Sequence, residues 1–184
     1  MSGSLLYRTE SVASKDVDLD ARTATFSWAS STPVRRWFGN EILDIKPSSI
    51  RAERLTAGLV PFLLGHKTDD QIGVVEKHWH SGGKVYGTAK FSKSQRAQEI
   101  LEDMSQGVRR GISVGYKTFK MKKVRTANPT DPDDVDDFLV TDFEPLEISS
   151  VSVAADPRVG IGRADGNYDL RGVEITDKDG EPLC

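Results

Sequence analysis

Apolar and polar positions alternate over short stretches for most of the chain, and this pattern predicts strands. Thr23-Ala24-Thr25-Phe26-Ser27-Trp28-Ala29 is a small, β-permissive run that ends at a Ser-Ser-Thr-Pro break. Trp37 to Ile45 follows, and Lys46-Pro47-Ser48-Ser49 predicts a short helical turn over 48–54. Runs 72–80 and 84–91 flank Ser81-Gly82-Gly83, the clearest hairpin in the sequence. One segment has helical spacing instead. Ala97, Ile100, Leu101 and Met104 predict a helix over 93–106, with Ser92 and Gln95 as a capping box and Gly107 closing its C-terminus.

After the helix, a strand runs through Ser113 toward Val124, and residues 126–137 form an acidic, proline-broken segment expected to be a mobile loop. Strand patterning resumes at 138–143 and 147–154. From Pro157 onward Gly and Asp dominate without periodicity, so residues 1–157 are expected to form the domain and 158–184 a flexible tail. There is no internal repeat. The expected architecture is mainly β with helices (α+β), an antiparallel and closed or nearly closed barrel carrying one or two helices.

Composition narrows the function classes. The 184 residues fit one domain, with 37% hydrophobic and 29% charged residues and a formal net charge of −3. That charge gives no reason to expect nucleic acid as a partner. The single cysteine, Cys184, excludes disulfides and thiolate metal sites within the chain and suits a reducing compartment. The N-terminus lacks a basic start followed by an apolar stretch, and the run 58–65 is too short to span a bilayer and is broken by Pro61. A soluble, cytoplasmic protein without membrane association is expected.

The candidate chemistry centres on Gly111-Ile112-Ser113-Val114-Gly115. G-x-S-x-G suggests the nucleophile elbow of an α/β-hydrolase, in which a histidine follows the serine in the chain and a helix follows the serine directly. Neither holds, because the last histidine is His80 and residues 116–124 read as a strand. A base for Ser113 must lie upstream, on another fold.

Of the three histidines, His78 and His80 alternate with Trp79 on a hairpin face and read as solvated. His66 leaves the apolar run Leu63-Leu64-Gly65 and opens the polar segment Lys67-Thr68-Asp69-Asp70, a place where scaffolds often put catalytic groups. The carboxylate that would orient it stays open among Asp69, Asp70, Asp142, Glu144 and Glu147. Glu147 heads a segment with no other charge until Asp156, so it needs a cationic or imidazole partner, and arginine and histidine both stay open. Gly111 and Gly115 either mark close packing or clear space for substrate and an oxyanion. Arg109 and Arg110 could add positive charge there or pair with surface acids. His66, His78 and His80 have no third ligand at a diagnostic spacing, and the calcium-like opening at 165–169 lacks glycine at its sixth position and glutamate at its twelfth. Neither a metal nor another cofactor is expected.

Three blocks at these residues resemble the prohead (capsid maturation) serine proteases of tailed bacteriophages, which share their fold with the herpesvirus assemblin proteases. They are Leu63-Leu64-Gly65-His66 with Ile72-Gly73-Val74-Val75, then Gly107-Val108 with Gly111 to Tyr116, then Leu146 to Pro157. Trp37 to Leu43 is also similar to the family, and the resemblance covers roughly residues 20–158. It implies an antiparallel β-barrel of herpesvirus-protease type surrounded by a few helices. It also implies a serine endopeptidase with Ser113 as nucleophile, His66 as general base and Glu147 orienting His66. The implied substrates are the major capsid protein and scaffolding protein, together with the protease itself, cut inside the assembling procapsid in the host cytoplasm. A homo-oligomer is compatible with this reading. The competing expectation is a catalytically inactive, capsid-associated scaffold or binding protein with the same fold.

Overall fold

In the computed structural model, residues 6–11, 13, 16–152 and 170–183 are described. The calcium-like opening at 165–169, the end of the third block and Cys184 lie outside them.

Among the described residues, eleven strands form one sheet. They are β1 (Leu6–Ser11), β2 (Val17–Asp18), β3 (Thr23–Ser30), β4 (Val34–Arg36), β5 (Gly39–Leu43), β6 (Pro61–Leu64), β7 (Lys67–Ser81), β8 (Lys84–Phe91), β9 (Gly111–Arg125), β10 (Asp137–Val151) and β11 (Glu174–Thr176). The helices are α1 (Glu53–Thr56) and α2 (Gln95–Ser105), with a 3-10 turn at Pro47–Ser49. Hydrogen-bonded neighbours run β1-β9-β10-β6-β7-β8-β3-β2.

The mainly β, α+β expectation holds, but the closed antiparallel barrel does not. β10 pairs with β5 and β6 in parallel, β11 pairs with β9 in parallel, and the ladder path between β1 and β3 is open. Parallel pairs need long crossovers, which local alternation along a strand does not reveal. Among the described residues no helix is long and apolar enough to cross a membrane.

The core is aromatic and aliphatic. Phe62 stacks on Phe26 at 5.3 Å between ring centroids and meets Phe91 edge-on at 5.2 Å. The indole of Trp28, fully buried, donates to the Tyr86 carbonyl at 3.2 Å. Helix α2 buries Ala97, Ile100, Leu101 and Met104, the four positions its spacing singled out. It starts later than expected, because Ser94, rather than Ser92, is the residue whose hydroxyl accepts from the Ala97 amide, at 3.2 Å. Gly107 ends it in the left-handed conformation, φ +71°.

Three other expectations change. The predicted strands at 138–143 and 147–154 are one strand, β10, in which register shifts around Pro145 absorb the residue that cannot donate to the ladder. The acidic stretch 126–137, expected as a free loop, is gathered by ion pairs. The Arg125 guanidinium grips the Asp134 carboxylate at 2.8 and 2.9 Å and Asp137 at 2.6 Å, and Lys123 meets Asp136 at 2.7 Å. Within the stretch expected to be a flexible tail, β11 pairs with β9. There Leu170, Val173 and Ile175 pack against the core, and Glu174 pairs with Lys120 at 2.9 Å.

Candidate active site

β6 and β7 are joined by two residues, Gly65 and His66, with Leu64 opposite Lys67. Both lie in the left-handed region, φ +62° and +63°, as a two-residue type I′ hairpin turn requires. Glycine takes that conformation freely. A histidine there is uncommon and needs its surroundings to hold it. His66 therefore does not open a polar loop. β7 begins at Lys67, and only Thr68, Asp69 and Asp70 bow out of the β6 ladder before Gln71 rejoins it.

The turn hangs on β10. The Gly65 amide donates to the Ser150 carbonyl at 2.9 Å, and the His66 amide donates to the Ser149 hydroxyl at 3.1 Å. The imidazole of His66 meets Glu147 with Nδ1 2.7 Å from Oε1. A carboxylate only accepts, so Nδ1 carries the proton, and in the neutral form of the ring the lone pair falls on Nε2. The other carboxylate oxygen, Oε2, accepts from the Ser149 hydroxyl at 2.6 Å. The His66 side chain is 23% exposed and that of Glu147 only 7%, so the carboxylate is shielded while the ring is within reach of solvent.

Ser113 enters this cluster through register. It is the partner of Ser149 in the β9–β10 ladder, and Gly115 is the partner of Glu147. Directly opposed residues share a face with Cβ atoms about 4.5–5.5 Å apart, and residues two apart on a strand share it too. Ser113, Glu147 and Ser149 therefore lie on one face of the sheet. On the other face, Ile112, Val114 and Ile148 are wholly buried in the core. Ser113 itself is 2% exposed.

The other sequence candidates do not join the cluster. Asp70 pairs with Arg96 of α2 at 2.9 Å, and Asp142 makes a two-pronged pair with Arg51, at 2.6 and 2.7 Å, beside Phe119. Asp69 sits in the outward bow of β7. His78 lies on the β7–β8 hairpin, and burial, then the neighbouring charge of His80, lowers its pKa. Gly111 has a packing reason, since a Cβ there would lie 2.7 Å from the Val151 carbonyl oxygen. The Arg110 side chain folds back onto the Gly107 carbonyl at 2.9 Å, at the end of α2. No cluster of three or more potential metal ligands occurs among the described residues. The residue that sequence reasoning passed over is Ser149. Its signal was only a serine two positions after an otherwise unaccompanied glutamate.

Residues 30–166, well over half of the chain, match the caudovirus prohead serine protease family, and the chain belongs to that family. It is also 39% identical, over 161 residues, to a protein named major capsid protein of Halomonas phage phiHAP-1. That match covers 83% of this chain and 26% of the relative, so the chain spans about a quarter of the relative's length. The bacteriophage T4 capsid assembly protease, gp21, shares the fold, with a TM-score of 0.54 at 14% identity over 80% of this chain and 97% of that one.

Proposed function

We propose that this chain is a serine endopeptidase of phage head maturation, with Ser113 as nucleophile, His66 as general base and then acid, and Glu147 as the carboxylate that orients His66. The observation carrying this reading is the 2.7 Å contact between His66 Nδ1 and Glu147 Oε1, made on the sheet face that also holds Ser113. Family membership supports the serine type.

The chemistry follows from the tautomer. With its proton on Nδ1, His66 uses the Nε2 lone pair to take the Ser113 hydroxyl proton as Oγ bonds to the scissile carbonyl carbon. Glu147, shielded from water, stabilises the imidazolium so formed without taking its proton. The imidazolium then protonates the leaving amine as the C–N bond breaks. Water reverses the roles: His66 takes its proton, hydroxide attacks the acyl-enzyme, and Ser113 leaves with the returned proton. None of these steps uses a metal or cofactor.

The substrates are scaffolding protein or scaffolding-like segments of the major capsid protein, and the protease's own chain, cut inside the assembling procapsid in the host cytoplasm. The named capsid relative, which this chain matches over part of its length, supports capsid protein as the partner. The same name favours a second reading, a capsid-associated protein that keeps the sheet without the chemistry.

One experiment separates the two readings. The chain is co-expressed with the capsid protein, cleavage is followed by mass spectrometry, and a fluorophosphonate probe reports the reactive serine. The proposal expects labelling and new N-termini in the native protein and neither in Ser113→Ala. Normal cleavage by Ser113→Ala would overturn it, and an unlabelled, non-cleaving native protein would favour the second reading.

A further inference from the structure

Three hydrogen bonds form a closed ring around Glu147. Its Oε1 takes the His66 ring at 2.7 Å, its Oε2 takes the Ser149 hydroxyl at 2.6 Å, and the oxygen of that hydroxyl takes the His66 backbone amide at 3.1 Å. One serine thus touches both the carboxylate and the main chain of the residue that the carboxylate orients. Left-handed backbone at a non-glycine residue persists only where neighbouring groups over-determine it. Here the Ser149 hydroxyl is such a group, and it sits on a ladder position rather than on a loop.

Ser149 is not a second nucleophile. It is fully buried, its proton is directed at a carboxylate, and its oxygen accepts from the amide. A hydroxyl whose proton faces Oε2 has no route for that proton to Nε2. The bond to Oε2 leaves the carboxylate fixed with Oε1 toward Nδ1. The bond to the amide fixes where the ring starts from.

We infer that Ser149 is a positioning residue, holding the His66 turn and the Glu147 carboxylate in the relative geometry that keeps the proton on Nδ1 and the lone pair on Nε2. The kinetic part of this inference rests on the peptidase reading above, whereas the tautomer part does not.

The test compares Ser149→Ala, Ser149→Cys and Ser149→Thr in the full chain. Cysteine is close to serine in shape but a weak donor, and threonine retains the hydroxyl. Ring ¹⁵N shifts of His66 read the tautomer, and hydrolysis of a capsid-derived peptide reads kcat and KM separately. The alanine and cysteine variants should show a mixed tautomer population, with kcat lower by about 10- to 100-fold and KM unchanged. Threonine should restore both. If alanine fails to fold, the cysteine variant carries the comparison. Native ring signals and native kcat in either hydroxyl-less variant would overturn the inference, and so would a loss seen only in KM with the tautomer intact. If the native protein hydrolyses nothing, the peptidase reading fails, while the ring spectra still decide the role of Ser149.

Discussion

Ser113 and Ser149 stand directly opposite each other across the β9–β10 ladder, and Ser149 is bonded to both the backbone of His66 and the carboxylate of Glu147. A slip of one residue in that register would turn one of the two serines to the other face and dissolve the cluster.

Gly111 guards the register two residues away. A methyl group there would lie 2.7 Å from the Val151 carbonyl oxygen and 2.9 Å from its Cγ2, so the strands would have to part. Gly111→Ala should destabilise the protein by about 1–3 kcal/mol and slow fluorophosphonate labelling of Ser113. Thermal melting and the labelling rate check this. Native values for both would show that the strands separate at no cost to the site.

Glu147→Gln keeps the shape of the side chain and removes its charge. The amide cannot accept from both the ring and Ser149 as the carboxylate does. The expected loss in kcat is about 10⁴-fold, leaving more activity than Ser113→Ala. Progress curves for the two variants on one peptide make the comparison. An activity in Glu147→Gln as low as in Ser113→Ala would give the carboxylate a larger role than orientation.

A second buried carboxylate has a structural part. Glu41 is fully buried, accepts from the Tyr116 hydroxyl and pairs with Arg36 at 3.4 Å. Glu41→Leu removes the carboxylate that Arg36 and Tyr116 share and should destabilise by about 3–5 kcal/mol, whereas Glu41→Leu with Arg36→Met should recover part of that loss. Denaturant melts of the single and double variants are the measurement, and equal losses in both would argue against the pair.

The acidic segment should come apart in acid. Arg125 holds the Asp134 and Asp137 carboxyls below the usual carboxylate range, and Lys123 does the same for Asp136. Folded pKa values lower than unfolded ones give stability that is complete above about pH 4 and lost as pH falls through the folded values. Carboxyl ¹³C titration should find all three groups ionised at pH values where ordinary aspartates have begun to protonate. Arg125→Gln should bring Asp134 and Asp137 back toward the ordinary range, and unchanged titrations in that variant would refute the account.

The sequence revealed those parts whose cause is local. Helix α2 was legible because Ala97, Ile100, Leu101 and Met104 bury one stripe, and the β7–β8 hairpin because Gly82 and Gly83 supply its left-handed turn. What it hid is long-range. Pro145 reads as a break, yet a bulge carries β10 through it, and the parallel partners of β10 come from residues about a hundred positions upstream at β5 and eighty-odd at β6. Residues 126–137 read as a mobile loop because composition does not show that Arg125 will gather their acids. For the site, the isolation of Glu147 in an uncharged segment called for a partner and left imidazole or arginine open. The fold brings His66 to it. The Gly65–His66 turn was hidden because histidine is not a usual residue for a left-handed position.

Ser113, Glu147 and His66 ride on three adjacent strands and a two-residue turn, all tied by main-chain ladders. Their relative placement is therefore set by the same main-chain hydrogen bonds that build the sheet. Under the proposed function, whatever loosens the β9–β10 or β10–β6 ladder would cost the fold and the chemistry together.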